Sequence, residues 1–119
     1  MAIFSNFIPT PEPIKNKSRV STLKKRLDWG EPALTIIDAR PRELFELTHI
    51  TGSIPMPMDE PANLTLASLE LDRDIYIYAE TDEQTGVAAN MLRQAGYQNV
   101  SELIGGLTAW KKAKYPIED

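Results

Sequence analysis

Ile75, Tyr76, Ile77 and Tyr78 form an apolar run too short for a helix. A polar stretch, Ala79 to Thr85, follows it and leads straight into a helical pattern from Glu83 to Ala95. In that pattern Val87, Ala88, Met91, Leu92 and Ala95 recur at helical spacing, and Gly96 ends it. This strand–loop–helix unit constrains the fold more than any other feature. A strand apolar at every position must be covered on both faces, which is the situation of a parallel sheet with helices above and below it. Leu34 to Asp38 is a second run of the same kind.

The remaining elements fit around these two strands. Ser21 is placed to cap a short helix with Val20, Leu23 and Leu27 on one side and Gly30 as its terminator. Pro41 suits a helix start before Glu43, Leu44, Phe45 and Leu47. Tyr97 to Val100 reads as a third strand, and Ala109 and Trp110 open a last short helix that Pro116 closes. Gly105 and Gly106 permit a tight turn before Trp110, a ring large enough to anchor that helix. Alternating strands and helices predict an α/β fold with a mainly parallel sheet and right-handed crossovers. At 119 residues there is room for one domain. Pro9, Pro11 and Pro13 remove backbone donors and favour extended chain, so residues 1–17 are expected to form a flexible arm before a single domain at 18–119.

Charge narrows the function classes. The net charge of −4 argues against a domain built to bind nucleic acid. No apolar run reaches the length of about 18 residues that membrane insertion requires. The start has no basic region before a long apolar stretch, so the expected location is the cytoplasm. The average conceals a split. Residues 1–30 hold six bases (Lys15, Lys17, Arg19, Lys24, Lys25, Arg26) against two acids (Glu12, Asp28), whereas the rest is acidic. Self-complementary packing is the simplest use of this split, ahead of a patch for an anionic partner.

In parallel sheets, sites lie beyond the carboxyl ends of strands. At the end of the Leu34–Asp38 strand, the first in chain order, stand Asp38 and Arg40, two apart and on one side of the pleat, where they either pair or face a ligand; pairing is the simpler reading. His49 is the only histidine, and with no cysteine anywhere in the chain it lacks partners for a metal site or for activating a nucleophile. It is expected to bond backbone and fix a loop. Beyond the second strand lies Ala79-Glu80-Thr81-Asp82-Glu83-Gln84-Thr85. Backbone donors and the helix dipole favour an anion there by ~0.3–1 kcal/mol. One like charge about 6 Å away opposes it by roughly 0.7 kcal/mol in water, and by about 3 at an effective dielectric of about 20. Glu80, Asp82 and Glu83 therefore make the loop a poor receptor for thiosulfate, sulfate or phosphate. The same acids lack the spacing of a calcium loop, and no metal or other cofactor is expected. Thr81 or Asp82 is placed to cap the helix, and Thr81 with Gln84 has capping-box spacing.

Taken together, these landmarks resemble the rhodanese-like family, the sulfurtransferase fold that also underlies a class of phosphatases. The likeness runs from about Arg19 to Ile117. Asp38-Ala39-Arg40 is similar to the family's Asp-x-Arg, and His49-Ile50-Thr51-Gly52-Ser53 to its Gly-His-Ile-x-Gly-Ala, with Thr48 in place of the leading glycine. Gly105-Gly106 through Trp110 resembles its closing Gly-Gly-x-x-x-Trp. The resemblance implies a three-layer fold in which Asp38, Arg40, His49, Gly52, Gly105, Gly106 and Trp110 serve the structure.

It also implies a catalytic cysteine after the second strand. Counting back from Gly96 through an ungapped helix puts that position at Ala79, and the family's usual loop arginine and serine at Gln84 and Thr85. Alanine cannot attack sulfane sulfur or carry a persulfide. The implied function is a catalytically inactive rhodanese-like domain acting as a protein-binding or regulatory module, with the vestigial loop Ala79 to Thr85 as its contact surface; the acids of that loop suggest a partner with a basic surface. The alternative is a sulfurtransferase-related enzyme that uses a partner's cysteine, or an unrecognised carboxylate-based reaction.

Overall fold

The computed structural model describes residues 13–30, 33–60 and 69–119. In chain order these form β1 (Lys17–Ser18), α1 (Val20–Asp28), β2 (Leu34–Asp38), α2 (Arg42–Leu47), β3 (His49–Ile50), β4 (Ile54–Pro55) and β5 (Asp74–Tyr78). They continue with α3 (Asp82–Gln94), β6 (Asn99–Leu103), α4 (Gly106–Lys112) and β7 (Ile117–Glu118). The main sheet runs β1-β6-β5-β2-β4 with every pair parallel, and β3 pairs with β7 in a small antiparallel sheet. This is the expected α/β architecture.

The two-residue period of the strands divides the core. Ile75 and Ile77 of β5 join Ile37, Ala88, Ala89, Leu92 and Val100 under α3. Tyr76 and Tyr78 point the other way and join Leu23, Ile36, Leu103, Leu107 and Trp110 beneath α1 and α4. The register Ile36↔Tyr76 and Ile37↔Ile77 aligns like faces across β2 and β5, giving a helix layer on each side of the sheet.

Several boundaries differ from the sequence reading. Arg19, not Ser21, stands at the N-cap of α1 and makes no side-chain cap bond, while Trp29 is the C-cap and Gly30 follows at φ +69°. The third strand is Asn99–Leu103 rather than Tyr97 to Val100, because Tyr97 N–H returns to the Leu92 carbonyl and keeps the chain turning. Ser101 and Glu102 break the apolar pattern there, but both are satisfied: Ser101 Oγ lies 2.6 Å from Ser18 Oγ, and Glu102 pairs with Arg93 at 3.1 Å. The last helix starts at Gly106, not Ala109, since Gly105 takes a left-handed φ of +77° and caps it.

In α3 the inward residues are Thr85, Ala88, Ala89 and Leu92; Val87 and Met91, expected in the core, are half exposed, and Ala95 is exposed. The apolar arc of this helix is wider than the sheet covers. Residues 1–12 of the expected arm lie outside the described residues. Its end is held: the Asn16 carbonyl accepts from Glu102 N–H at 2.8 Å and from Arg93 Nη2 at 3.2 Å, and Lys17 pairs with Glu102 in β1.

Trp110 closes the domain. It is 1% exposed, meets Tyr115 edge to face at 4.9 Å, and donates its indole N–H to the Pro116 carbonyl at 2.7 Å. Trp110→Ala should cost about 3–5 kcal/mol in urea unfolding; a loss under about 1 kcal/mol would remove Trp110 from the role of anchor.

Candidate functional site

Parallel pairing brings the carboxyl ends of β2, β5 and β6 to one edge of the sheet, and a shallow cleft of about 350 Å³ opens there. Ala79, the first residue after β5, is buried at its floor. Glu80 and Asp82 form one wall; Gly105, Thr108 and Lys112 belong to the other. The glycines set how closely the walls approach. A Cβ on Gly106, whose φ is +50°, would lie 3.3 Å from the Ala79 carbonyl oxygen, and one on Gly105 would lie 2.5 Å from Ala109 Cβ in α4.

The loop is tied by its own side chains. Thr85 Oγ1 accepts from Ala79 N–H at 2.9 Å and donates to the Thr81 carbonyl at 2.9 Å. Thr81 caps α3 by accepting from Gln84 N–H at 3.1 Å. Asp82 reaches across the cleft, its Oδ1 accepting from Gly105 N–H at 2.9 Å. A carboxylate of the chain itself thus holds an amide on the opposite wall. Glu80, Asp82, Glu83 and Gln84 are exposed, and Thr85 is buried.

Asp38 and Arg40 pair with each other. The guanidinium spans both carboxylate oxygens, with Nε at 3.1 Å from each and Nη2 at 2.7 Å from Oδ2. Nη2 also donates to the Thr48 carbonyl at 2.6 Å, and the group lies 5.6 Å from the Tyr78 ring centroid. Burial works against the charge on Arg40, but the bonds and charge of Asp38 outweigh it and hold the proton above its ordinary value.

His49 donates Nδ1–H to the Phe45 carbonyl at 2.8 Å, stacks on the Phe45 ring at 3.8 Å, and sets Nε2 3.2 Å from Glu118 Oε2. Gly52 serves a turn at φ +84°. Thr48, at the family's glycine position, has an extended φ of −165° that needs no glycine; its hydroxyl is buried without a hydrogen-bond partner. Asp38, Arg40, His49 and Gly52 lie outside the cleft lining, whereas Ala79, Glu80, Asp82, Gly105 and Gly106 meet in it.

Among the described residues, no group of three or more His, Asp or Glu is placed to hold a metal. Three lining residues, Thr108, Ala109 and Lys112, and the bond from Asp82 to Gly105 lie beyond the site residues singled out in the sequence. The spacing of Thr108 and Lys112, four apart on one face of α4, is the signal for the residues. Nothing local signals the bond, which joins residues 23 apart.

The family model for the rhodanese-like domain matches residues 19–113. The chain is similar to the adenylyltransferase and sulfurtransferase UBA4 of Candida albicans, 33% identical over 85% of this chain and 25% of that protein. It is also similar to the HTH-type transcriptional regulator Rv0324 of Mycobacterium tuberculosis, 34% identical over 82% of this chain and 42% of that one. It therefore spans between a quarter and about two fifths of the length of these curated relatives. Among solved structures, the Alr3790 protein from Anabaena superposes with a TM-score of 0.81 at 50% identity, covering 85% of this chain and 79% of that chain.

Beneath the cleft, Tyr78 Oη accepts from Ile50 N–H at 3.1 Å and lies 3.3 Å from Ser53 Oγ. Burial, and then the charge of Asp38, raises the phenol well above its ordinary value. A pKa raised on folding stabilises the fold fully below the unfolded value of about 10, and that contribution is lost as pH climbs from there toward the folded value. Stability should therefore fall more steeply above about pH 10 in the wild type than in Tyr78→Phe. The variant also loses about 1–3 kcal/mol at neutral pH, because Ile50 N–H is left unpaired. Parallel alkaline limbs in urea titrations of the two proteins would contradict this account.

Proposed function

The chain belongs to the rhodanese-like domain family, and from that premise we propose that it is a catalytically inactive member, working in the cytoplasm as a protein-binding or regulatory module. The loop Ala79 to Thr85 is its contact surface. The observation that carries this reading is the floor of the cleft. Ala79 follows β5 at the position that the family resemblance assigns to the nucleophile, and its methyl group has neither a lone pair nor an ionisable proton to contribute to sulfur transfer.

Electrostatics supports the same reading. A thiolate and an anionic sulfur donor need cationic surroundings. Glu80, Asp82 and Glu83 supply three negative charges at the loop, and Lys112 on the facing wall offsets one of them. The remaining balance is repulsive to anions and attractive to a cationic partner. Asp82 strengthens the point, since its carboxylate already occupies the Gly105 amide.

The direct check is thiosulfate-to-cyanide sulfur transfer by the purified chain, which should not exceed a heat-killed control; turnover clearly above it overturns the reading. Ala79→Cys alone should stay nearly inactive, because the field at the loop remains negative. Robust turnover by that variant would show the electrostatic argument to be wrong. For the binding role, a synthetic lysine-rich peptide should shift the amide resonances of residues 79–85. The combined variant Glu80→Gln, Asp82→Asn, Glu83→Gln should lose that response, and an unchanged titration would dismiss the loop as the contact.

A further inference from the structure

One line along the exposed side of α3 is apolar, between the exposed polar residues Asn90 and Gln94 and the buried face. Val87 and Met91 are each 51% exposed, and Ala95 continues the same line at the next fourth position. Leu71, 50% exposed, stands at the far end, its Cδ2 3.7 Å from where a Cβ on Gly96 would lie. The core does not account for this stripe, because Thr85, Ala88, Ala89 and Leu92 fill the inward face. Glu83, exposed and one turn before Val87, heads the line on its loop side. The cation of this helix is turned away: Arg93 pairs with Glu102 and donates to the Asn16 and Val100 carbonyls.

We propose that the stripe Val87–Met91–Ala95 is the apolar half of a docking surface whose acidic half is the loop, and that it receives a partner segment carrying apolar side chains next to lysine or arginine. This rests on the loop being the contact. Charge complementarity selects the occupant. A helix rises about 1.5 Å per residue, so Glu83 and Met91 lie about 12 Å apart. A segment laid along α3 therefore places its cationic side chain about 12 Å from its distal apolar one. An anionic lipid surface is disfavoured, because the stripe starts at the Glu83 carboxylate, with the acidic loop just before it. The exposed area is small, which fits a weak, reversible partner rather than a permanent one.

The test uses the isotope-labelled full chain and synthetic amphipathic helical peptides. The probe peptide carries leucines at i and i+4 followed by lysines. In two controls, glutamates replace the lysines or glutamines replace the leucines. The probe should shift amides along residues 83–95, and both controls should fail to do so. Val87→Gln with Met91→Gln should weaken probe binding about tenfold or more with an unchanged melting temperature, since both side chains are exposed. The proposal is overturned if this double variant titrates like the wild type, or if the glutamate peptide binds equally well. It is also overturned if the free chain self-associates in sedimentation through the same two residues, which would make a second copy the occupant. If the loop variant loses the lysine-rich peptide while the stripe variant titrates the leucine–lysine probe unchanged, the stripe is dismissed and the loop stands. If neither variant alters either titration, both fall.

Discussion

Asp38 has no exposed surface, and a buried carboxylate without a partner costs several kcal/mol. Arg40 meets that demand from two residues away, and the pair organises much of what surrounds it. The chain must turn sharply after β2 for the guanidinium to come back over the carboxylate, and the backbone N–H of Arg40 joins the same Asp38 oxygen at 2.9 Å. Nη2, which donates to Asp38, also donates to the Thr48 carbonyl at the end of α2. That sets the entrance to β3, where Ile50 N–H finds Tyr78 Oη and returns the connection to β5. One ion pair thus links the ends of the two central strands to the segment that carries His49.

The cleft stands on this frame but uses other residues. Its floor is the backbone just beyond β5, and its walls are the loop into α3 and the start of α4. Beside the backbone bond from Thr85 N–H to the Thr81 carbonyl, the loop is tied by short polar side chains: Thr85 to Ala79, Thr81 to Gln84, Asp82 to Gly105. Such bonds fix the loop shape from within the chain. What the surface offers outward is then carboxylate at one end and, along α3, exposed aliphatic side chains.

The elements legible in the sequence are those whose signal is local. Leu34–Asp38 was marked by composition and length alone, and the cap at Thr81 by its spacing to Gln84. Asp38 and Arg40 were readable as a pair because both partners sit on one strand end. The third strand was displaced in the sequence reading because Ser101 and Glu102 look like surface residues; their partners, Ser18 and Arg93, lie in other elements. The glycine pair before α4 is legible as a turn, but the helix start within it is not, since Gly105 caps at φ +77° without a side chain. The inward and outward residues of α3 could not be separated by periodicity, because apolar residues stand on both faces and only the sheet decides which of them it covers.

The bond from Asp82 to Gly105 has a consequence for how this chain can change. Asp82 contributes to the charge of the cleft and also holds the turn ahead of α4, so one substitution alters both. A mutational path toward a cationic loop would first have to replace that clasp by another acceptor, and every intermediate lacking one would carry a loosened Gly105–Gly106 turn against the Ala79 carbonyl. The sign of the cleft and the geometry of its wall thus meet in one side chain, and only an uncharged acceptor at position 82 could separate them.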